Sequence, residues 1–411
     1  MRFVVIGASA AGINAVRKLR ELNPTEDIVM ISEDSAIYSR CILYHHLEGS
    51  RSLEELNFVE PDFEKKERIQ WIKGAKVIRI DTEENTVLLE DGTRVVYDKL
   101  CIASGARTNT PPVPGLREGK NVVGFRNFAD VEKIEGYLSK VENIFVLGAG
   151  LVGVDVVAGL VEYGKNITLV EMGANILPLQ LDGYAAKTYE DLFAQKGVKQ
   201  YYNMGAKEFV LDEEGNCNKV ILQDGTEIPT DLVINCAGVR ANVEFLQGSN
   251  IACDRQGLIF DEYGKTSVEN IYGAGDVSGK SPIWPTAVKQ GIIAACNMSG
   301  RKINQDDFFA SKSTMNFFGV PSMSLGDANL KDDSYTTEIY KNEKKKIYKK
   351  VIHKDGVIVG AILQGDLSYS GVLTQLIRRK IDVSKVKKPI FDIDYSDFFH
   401  MDDNFEFSYS H

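Results

Sequence analysis

Two glycine-rich hexapeptides carry the chemistry of this chain: Gly7-Ala8-Ser9-Ala10-Ala11-Gly12 and Gly148-Ala149-Gly150-Leu151-Val152-Gly153. Each follows an apolar strand-like run, Phe3 to Ile6 and Ile144 to Leu147, and opens a helix-like stretch. Each is answered by an acid at the end of a second apolar run, Glu33 and Glu171. That spacing suits dinucleotides. The glycines let backbone amides approach a pyrophosphate, the helix N-terminus favours its charge, and the carboxylate accepts from ribose hydroxyls. One such motif is a weak signal, but two in full strand–turn–helix–strand–acid context are a strong one. Two dinucleotides on one chain imply a flavin that takes hydride from a nicotinamide.

Other chemistries find less support. The cysteines at 41, 101, 217, 236, 253 and 296 form no Cys-x-x-Cys and no ligand spacing, so no metal is expected. Cys101 and Cys236 lie in apolar runs and read as buried, inert thiols. A net charge of −10 argues against nucleic acid as a partner. No apolar run has the length of a membrane span and no secretory signal is visible, so a reducing cytoplasm is the expected setting.

The elements that must position these residues repeat. Ala75 to Asp81, Thr86 to Glu90, Asp91-Gly92-Thr93 and Tyr97 to Gly105 recur as Ala206 to Asp212, Val220 to Gln223, Asp224-Gly225-Thr226 and Asp231 to Gly238. Both copies read as strands joined by tight turns, then an apolar strand ending in small residues. The fold class expected is α/β, with two βαβ nucleotide units, each followed by a β-meander and a return strand. Thr108 to Gly115 is proline-rich and reads as a linker. Thr286 reads as the N-cap of a helix over 287–298, after Ser281 to Pro285. Past residue 305, Lys346 to Val351, Val357 to Leu363 and Gly371 to Arg379 suggest a hairpin and a helix in a separate α+β unit. The expected division is 1–110 and 241–305 for a first, split domain, 111–240 for a second, and 306–411 for a C-terminal interface domain with an acidic, aromatic tail.

These pieces in this order resemble the two-dinucleotide flavoprotein reductases of glutathione-reductase fold, the pyridine nucleotide–disulfide oxidoreductases. Within them the chain is most similar to the NADH:rubredoxin reductases and the flavoprotein part of nitrite reductase. Tyr38-Ser39-Arg40, Ala103 to Arg107, Gly273-Ala274-Gly275-Asp276 and Gly360 to Asp366 carry the resemblance beside the two glycine turns. It implies FAD in the first half and NAD(H) in the second. Glu33 would bind the adenosine ribose, and Asp276 the ribityl or pyrophosphate. Arg40 would neutralise phosphate or form a surface ion pair. The Thr286 helix would point at the flavin pyrimidine edge, with Trp284 over the ring or filling a junction. Val77, Ala103, Ser104, Gly105, Arg107, Gly238, Gly275 and Ala287 join Gly7, Ser9, Ala10, Ala11 and Gly12 as cofactor-binding candidates. On the nicotinamide side stand Gly148, Gly150, Leu151, Val152, Gly153 and Glu171. Glu171, with no arginine in 172–181, favours NADH over NADPH. Asp155, where relatives carry Glu, either faces the nicotinamide or is a solvated helix acid.

The family's paired redox cysteines are missing, which excludes a dithiol relay. Cys41 follows Arg40 where NADH oxidases and coenzyme A disulfide reductases, the next nearest resemblance, keep a single redox thiol. It reads either as that thiol or as a packing residue, and packing is the expectation. The chain is expected to be an enzyme passing electrons from NADH through FAD, likewise expected to form a homo-oligomer such as a homodimer. Its acceptor would be an acidic electron-transfer protein or a partner redox subunit; a flavin subunit without turnover is the third reading. The docking candidate is the basic stretch Arg378, Arg379, Lys380, Lys385, Lys387 and Lys388, which Asp392, Asp394, Asp397, Asp402, Asp403 and Glu406 follow; a solvated helix face is its plainer reading.

Overall fold

In the computed structural model the described residues are 1–280, 282–305, 312–401, 403–404 and 406–409. Ser281, Asp402 and the start of the C-terminal segment at 306–311 lie outside them. The chain forms two compact units, residues 1–148, 155–165 and 206–306, and residues 149–154, 166–205 and 307–411.

In the first unit β1 (Arg2–Ile6), α1 (Ala10–Leu22) and β2 (Asp27–Ile31) make the opening βαβ turn. With β3 (Gln70–Ile72), β7 (Lys99–Ile102) and β18 (Ile271–Gly273) they form a parallel sheet of order β18-β7-β1-β2-β3. Side chains alternate across each strand, so β1 serves two cores. Phe3 and Val5 pack with α1 and α7 (Trp284–Met298), while Val4 and Ile6 face Ile80, Val87, Leu89 and Val95 of the meander β4 (Val77–Asp81), β5 (Thr86–Leu89) and β6 (Arg94–Val96). Helices α1 and α7 touch closely because Gly291 has no side chain; a Cβ there would sit 2.2 Å from the Ala11 carbonyl oxygen. Short helices α2 (Tyr44–Leu47) and α3 (Phe63–Lys66) follow β2.

β8 (Ala106–Thr108) pairs antiparallel with β17 (Val239–Ala241). β9 (Val122–Gly124), β10 (Asn143–Leu147) and β16 (Leu232–Asn235) run parallel, with β16 central. α4 (Phe128–Leu138) joins β9 to β10, and α5 (Leu151–Leu160) follows the second glycine turn. The second meander is β13 (Ala206–Leu211), β14 (Cys217–Leu222) and β15 (Glu227–Pro229), so the repeat read from the sequence is present in the fold.

The second unit pairs β11 (Asn166–Val170) with β12 (Lys199–Tyr201) around α6 (Gly183–Gln195). Its C-terminal part is a five-stranded antiparallel sheet rather than a lone hairpin. β19 (Lys312–Phe317), β20 (Val320–Gly326), β23 (Val357–Gln364), β22 (Ile347–Lys354) and β21 (Thr336–Asn342) lie in that order, and α8 (Ser370–Arg378) packs on it through Leu373, Leu376 and Ile377. α6 meets this sheet through a buried polar joint. Tyr189 OH donates to the Val320 carbonyl (2.7 Å) and bonds Ser322 Oγ (2.8 Å); Gln364 Nε2 donates to the Ala185 carbonyl (3.0 Å) and to Ser322 Oγ (3.0 Å); Thr188 Oγ1 donates to Gln364 Oε1 (2.9 Å).

One expectation changes, and two local details bear on the other site residues. Thr286 is not an N-cap, because α7 begins at Trp284 behind Ile283, with Pro285 in the first turn, where its missing N–H costs nothing. Cys41 sits on a 3-10 turn over Arg40–Ile42. The basic stretch is partly neutralised, since Lys388 pairs with Asp397 (2.7 Å) and Asp394 (3.7 Å) of the following acidic segment. No helix among the described residues is long and apolar enough to cross a membrane.

Candidate functional site

The first glycine turn can exist only with glycine at two positions. Gly7 has φ +116°, and a Cβ on it would lie 2.1 Å from the Ala103 carbonyl oxygen; a Cβ on Gly12 would lie 1.9 Å from the Gly7 carbonyl oxygen. The Gly7 amide donates to Ile31 (2.7 Å), locking the turn between β1 and β2. Helix α1 then opens with Ser9 as N-cap, without a side-chain cap bond and without an acid in its first turn. Its first amides therefore face the adjoining space with their partial positive charge uncompensated by a side chain.

That space is a cleft of about 880 Å³ lying wholly within the first unit. Gly7, Ser9, Ala10, Ala11, Glu33, Arg40, Cys41, Val77, Ala103, Ser104, Gly105, Arg107, Gly275, Asp276, Trp284 and Ala287 all line it. Thr286 is buried, and Gly12 stands behind Gly7; neither is on the wall. Gly238 is exposed on the turn after β16, with φ +87°. Trp284 meets Phe58 edge-on, ring centroids 4.9 Å apart. A dinucleotide with a negative pyrophosphate fits this wall: amides at one helix end, an exposed carboxylate at Glu33 for a ribose, and small residues that let backbone approach.

The charged groups of the wall are held by one another. Asp276 pairs with Arg126 at 2.5 Å, both largely buried. Arg40 pairs with Asp34 and donates to the Arg126 carbonyl (3.0 Å). Arg107 forms a two-pronged pair with Glu244. Arg126 and Asp34 escape sequence reasoning: Arg126 meets Asp276 from 150 residues away, and Asp34, beside Glu33, pairs locally with Arg40 without a motif to mark it. One signal points toward Arg126: Asn127 and Asp130 form a capping box at the start of α4, and the Asp130 carboxylate also accepts from the Arg126 amide (2.8 Å).

Cys41 opens onto the cleft, but its thiol is pushed up to about 11, first by burial among protein groups and then by the field of Asp155; Arg126 opposes the shift. Asp155, on α5, is half-buried, and loss of water around it holds its carboxyl well above the usual carboxylate range. Tyr44 is likewise pushed up to about 12 by burial and then by Asp155.

The second glycine turn repeats the backbone device. Gly148 has φ +100°, and its Cβ would lie 2.6 Å from the Cys236 carbonyl oxygen. Glu171 reaches the next residue directly: its Oε2 accepts from the Ala149 amide (2.7 Å) and its Oε1 from the Gly173 amide (2.6 Å). The Leu177 amide donates to the Ala149 carbonyl (2.8 Å). Leu151 and Val152 are half-buried on the first turn of α5, and Gly153 is buried. Near Glu171, Met172 is 74% and Leu179 83% exposed. Among the described residues no cluster of three or more His, Cys, Asp or Glu side chains could hold a metal ion.

Known proteins align with this arrangement. A profile of the pyridine nucleotide-disulphide oxidoreductases matches residues 1–291, and one of the rubredoxin NAD+ reductase C-terminal domain matches residues 312–381. The assimilatory nitrate reductase electron transfer subunit of Bacillus subtilis is 27% identical over 95% of this chain, which spans only 51% of that protein. The NADH-dependent phenylglyoxylate dehydrogenase subunit epsilon of Aromatoleum evansii is 27% identical, with 94% of this chain and 93% of that protein aligned. The crystal structure of NADH:rubredoxin oxidoreductase from Clostridium acetobutylicum superposes with a TM-score of 0.76 at 25% identity, covering 95% of this chain and 98% of that one. The chain thus belongs to the pyridine nucleotide-disulphide oxidoreductase family, flavoprotein oxidoreductases that use FAD with a nicotinamide dinucleotide.

Proposed function

We propose that this protein oxidises NADH through FAD and delivers the electrons to a small acidic redox protein or a partner redox subunit. The observation that carries the acceptor class is the match of residues 312–381 to the rubredoxin NAD+ reductase C-terminal domain, and what speaks against a thiol route is Cys41. It is the cleft's own cysteine, and at about 11 it stays protonated at neutral pH, whereas a redox nucleophile must be a thiolate. On this reading FAD rests on the α1 amides, Glu33 and the Arg126–Asp276 pair. NADH rests on the second glycine turn, Gly148 to Gly153, and on Glu171. Bound FAD supplies the hydride acceptor. The chain's own residues orient the two nucleotides: glycine turns admit the pyrophosphates, Glu171 takes ribose hydroxyls, and the α7 N-terminus favours negative charge at the flavin edge.

Domain limits at 110, 240 and 305 belong to this proposal, as do a cytoplasmic setting, which unpaired cysteines at all six positions support, and a homo-oligomer. Light scattering reads the copy number. The acceptor surface is the exposed set Arg379, at the end of α8, with Lys385 and Lys387 in the segment that follows. Changing these three to Gln should slow transfer to a protein acceptor and steepen neither dye reduction nor its salt dependence. Anaerobic mixing with NADH should bleach the flavin; no bleaching sinks the reading.

The second reading, a thiol enzyme acting on coenzyme A disulfide, polysulfide or oxygen, has one observation in its favour: Cys41 opens onto the cleft. A long-wavelength band in the NADH-reduced protein that vanishes in Cys41→Ser would replace the first reading with this one.

A further inference from the structure

Within the second unit, the loop between β11 and α6 is clasped to the glycine turn at one end and to the C-terminal sheet at the other. At the turn end, both polar backbone groups of Ala149 are taken, the amide by Glu171 and the carbonyl by Leu177. Leu177 does this in the left-handed region, φ +52°, while fully buried, a strained conformation that only surrounding contacts can maintain. Gly173 carries the constraint along the loop. Its amide holds Glu171 Oε1, and Pro178 packs so tightly over it that a Cβ would lie 2.9 Å from the proline ring.

At the far end, the contacts come from the C-terminal segment. Asn329, in the turn after β20, donates from Nδ2 to the Pro178 carbonyl (3.1 Å) and the Leu181 carbonyl (2.9 Å). Asp182 then caps α6 through the Ala185 amide (3.0 Å) while accepting from Tyr348 OH (2.6 Å) and Lys350 Nζ (3.2 Å). Asn329 thus holds the loop's main chain, while Tyr348 and Lys350 hold the Asp182 side chain that caps α6.

We propose that Asn329 is a positioning residue for NADH: by holding Pro178 and Leu181 it keeps Gly173 and Leu177 in place, and through them the Glu171 carboxylate and the turn that receive the dinucleotide. The C-terminal domain thereby becomes part of the nucleotide-binding device. This rests on the reading that Glu171 receives the NADH ribose. The physical argument is preorganisation. A carboxylate already held costs less ordering on each binding event than one that must be found.

The test compares the parent with Asn329→Asp, which keeps the shape but turns two donations into repulsions, and with Asn329→Ala. ADP-ribose binding is measured by calorimetry and amide exchange at Ala149 by mass spectrometry, beside KM and kcat for NADH with a small dye and flavin occupancy. The proposal expects the Kd for ADP-ribose and the KM for NADH to rise about five- to tenfold, Ala149 exchange to quicken, and kcat and flavin occupancy to hold. Tyr348→Phe, which loosens the same anchor at Asp182, should give a smaller rise in the same direction. An unchanged Kd in both Asn329 variants overturns it, as does a rise matched by equal loss of flavin and kcat. Failure of the parent itself to bind ADP-ribose would instead strike the assignment of NADH to this turn.

Discussion

At both glycine turns a positive-φ glycine lays its α-carbon against a carbonyl of the neighbouring strand, Gly7 at Ala103 and Gly148 at Cys236. What surrounds each turn differs. The first opens on a broad cleft, Glu33 stands exposed at its rim, and the charges deeper in are neutralised pairwise as Arg126–Asp276 and Arg40–Asp34. At the second, the acid is already bonded across the turn, and a folded loop closes both backbone groups of Ala149. The difference matches two kinds of guest. A resident cofactor enters once and can rearrange ion pairs as it binds. A co-substrate that leaves every turnover gains from a site whose ordering cost is already met.

The sharpest break of this comparison lies at the first turn. Asp276→Ala leaves Arg126 largely buried without its carboxylate, so we expect FAD affinity to fall roughly tenfold or more, at about 1.4 kcal/mol per factor of ten, while ADP-ribose still binds the second turn. Full flavin occupancy after purification would remove Asp276 from the site.

A mirror experiment acts on the second turn. Parent protein should prefer NADH to NADPH by roughly tenfold in kcat/KM, about 1.4 kcal/mol, and Glu171→Ser should narrow that gap with flavin retained. Equal rates with both nucleotides in the parent would end the assignment of Glu171 to the ribose.

Smaller in effect, Asp155→Asn separates the two halves by pH. Burial raises the folded carboxyl above its ordinary 3.8. Between the unfolded and folded values the native state keeps a proton that the unfolded chain has released, so native stability declines as pH rises through that window. The asparagine variant lacks this decline. Its Tm advantage over the parent should therefore grow from about pH 4 to about pH 8. A constant difference across that range would mean that Asp155 is solvated.

Least of all should Cys41→Ser matter, leaving NADH-to-dye turnover within about threefold, since a protonated thiol contributes packing rather than charge.

How much of this was legible in the sequence follows from what is local. Glycines at fixed offsets, the two Asp-Gly meanders and the strand-end acids announce themselves because backbone geometry demands those residue types at those spacings. Arg126 and Asn329 do not, because the partners that matter, Asp276 and the Pro178 and Leu181 carbonyls, lie across the fold; Asp34 pairs with the nearby Arg40, but an acid six residues before an arginine is no signature. The expected start of α7 falls three residues late because proline reads as a stop, yet it fits a first helical turn. β19, β20 and β21 escape the sequence reading: serines, threonines and lysines dilute the apolar pattern of β19 and β21, and Pro321 at the start of β20 reads against a strand.

The joint of Tyr189, Ser322, Gln364 and Thr188 bears on how such proteins can be recombined. Each group there has its partner inside the joint or on the adjoining backbone, so a foreign C-terminal segment grafted after residue 305 would strand at least one of them, at about 1–3 kcal/mol per orphaned group. The natural unit of exchange therefore includes α6 and the loop before it. A chimera built at that seam should inherit its nucleotide preference together with its acceptor, so that donor and acceptor specificity travel as a single heritable cassette.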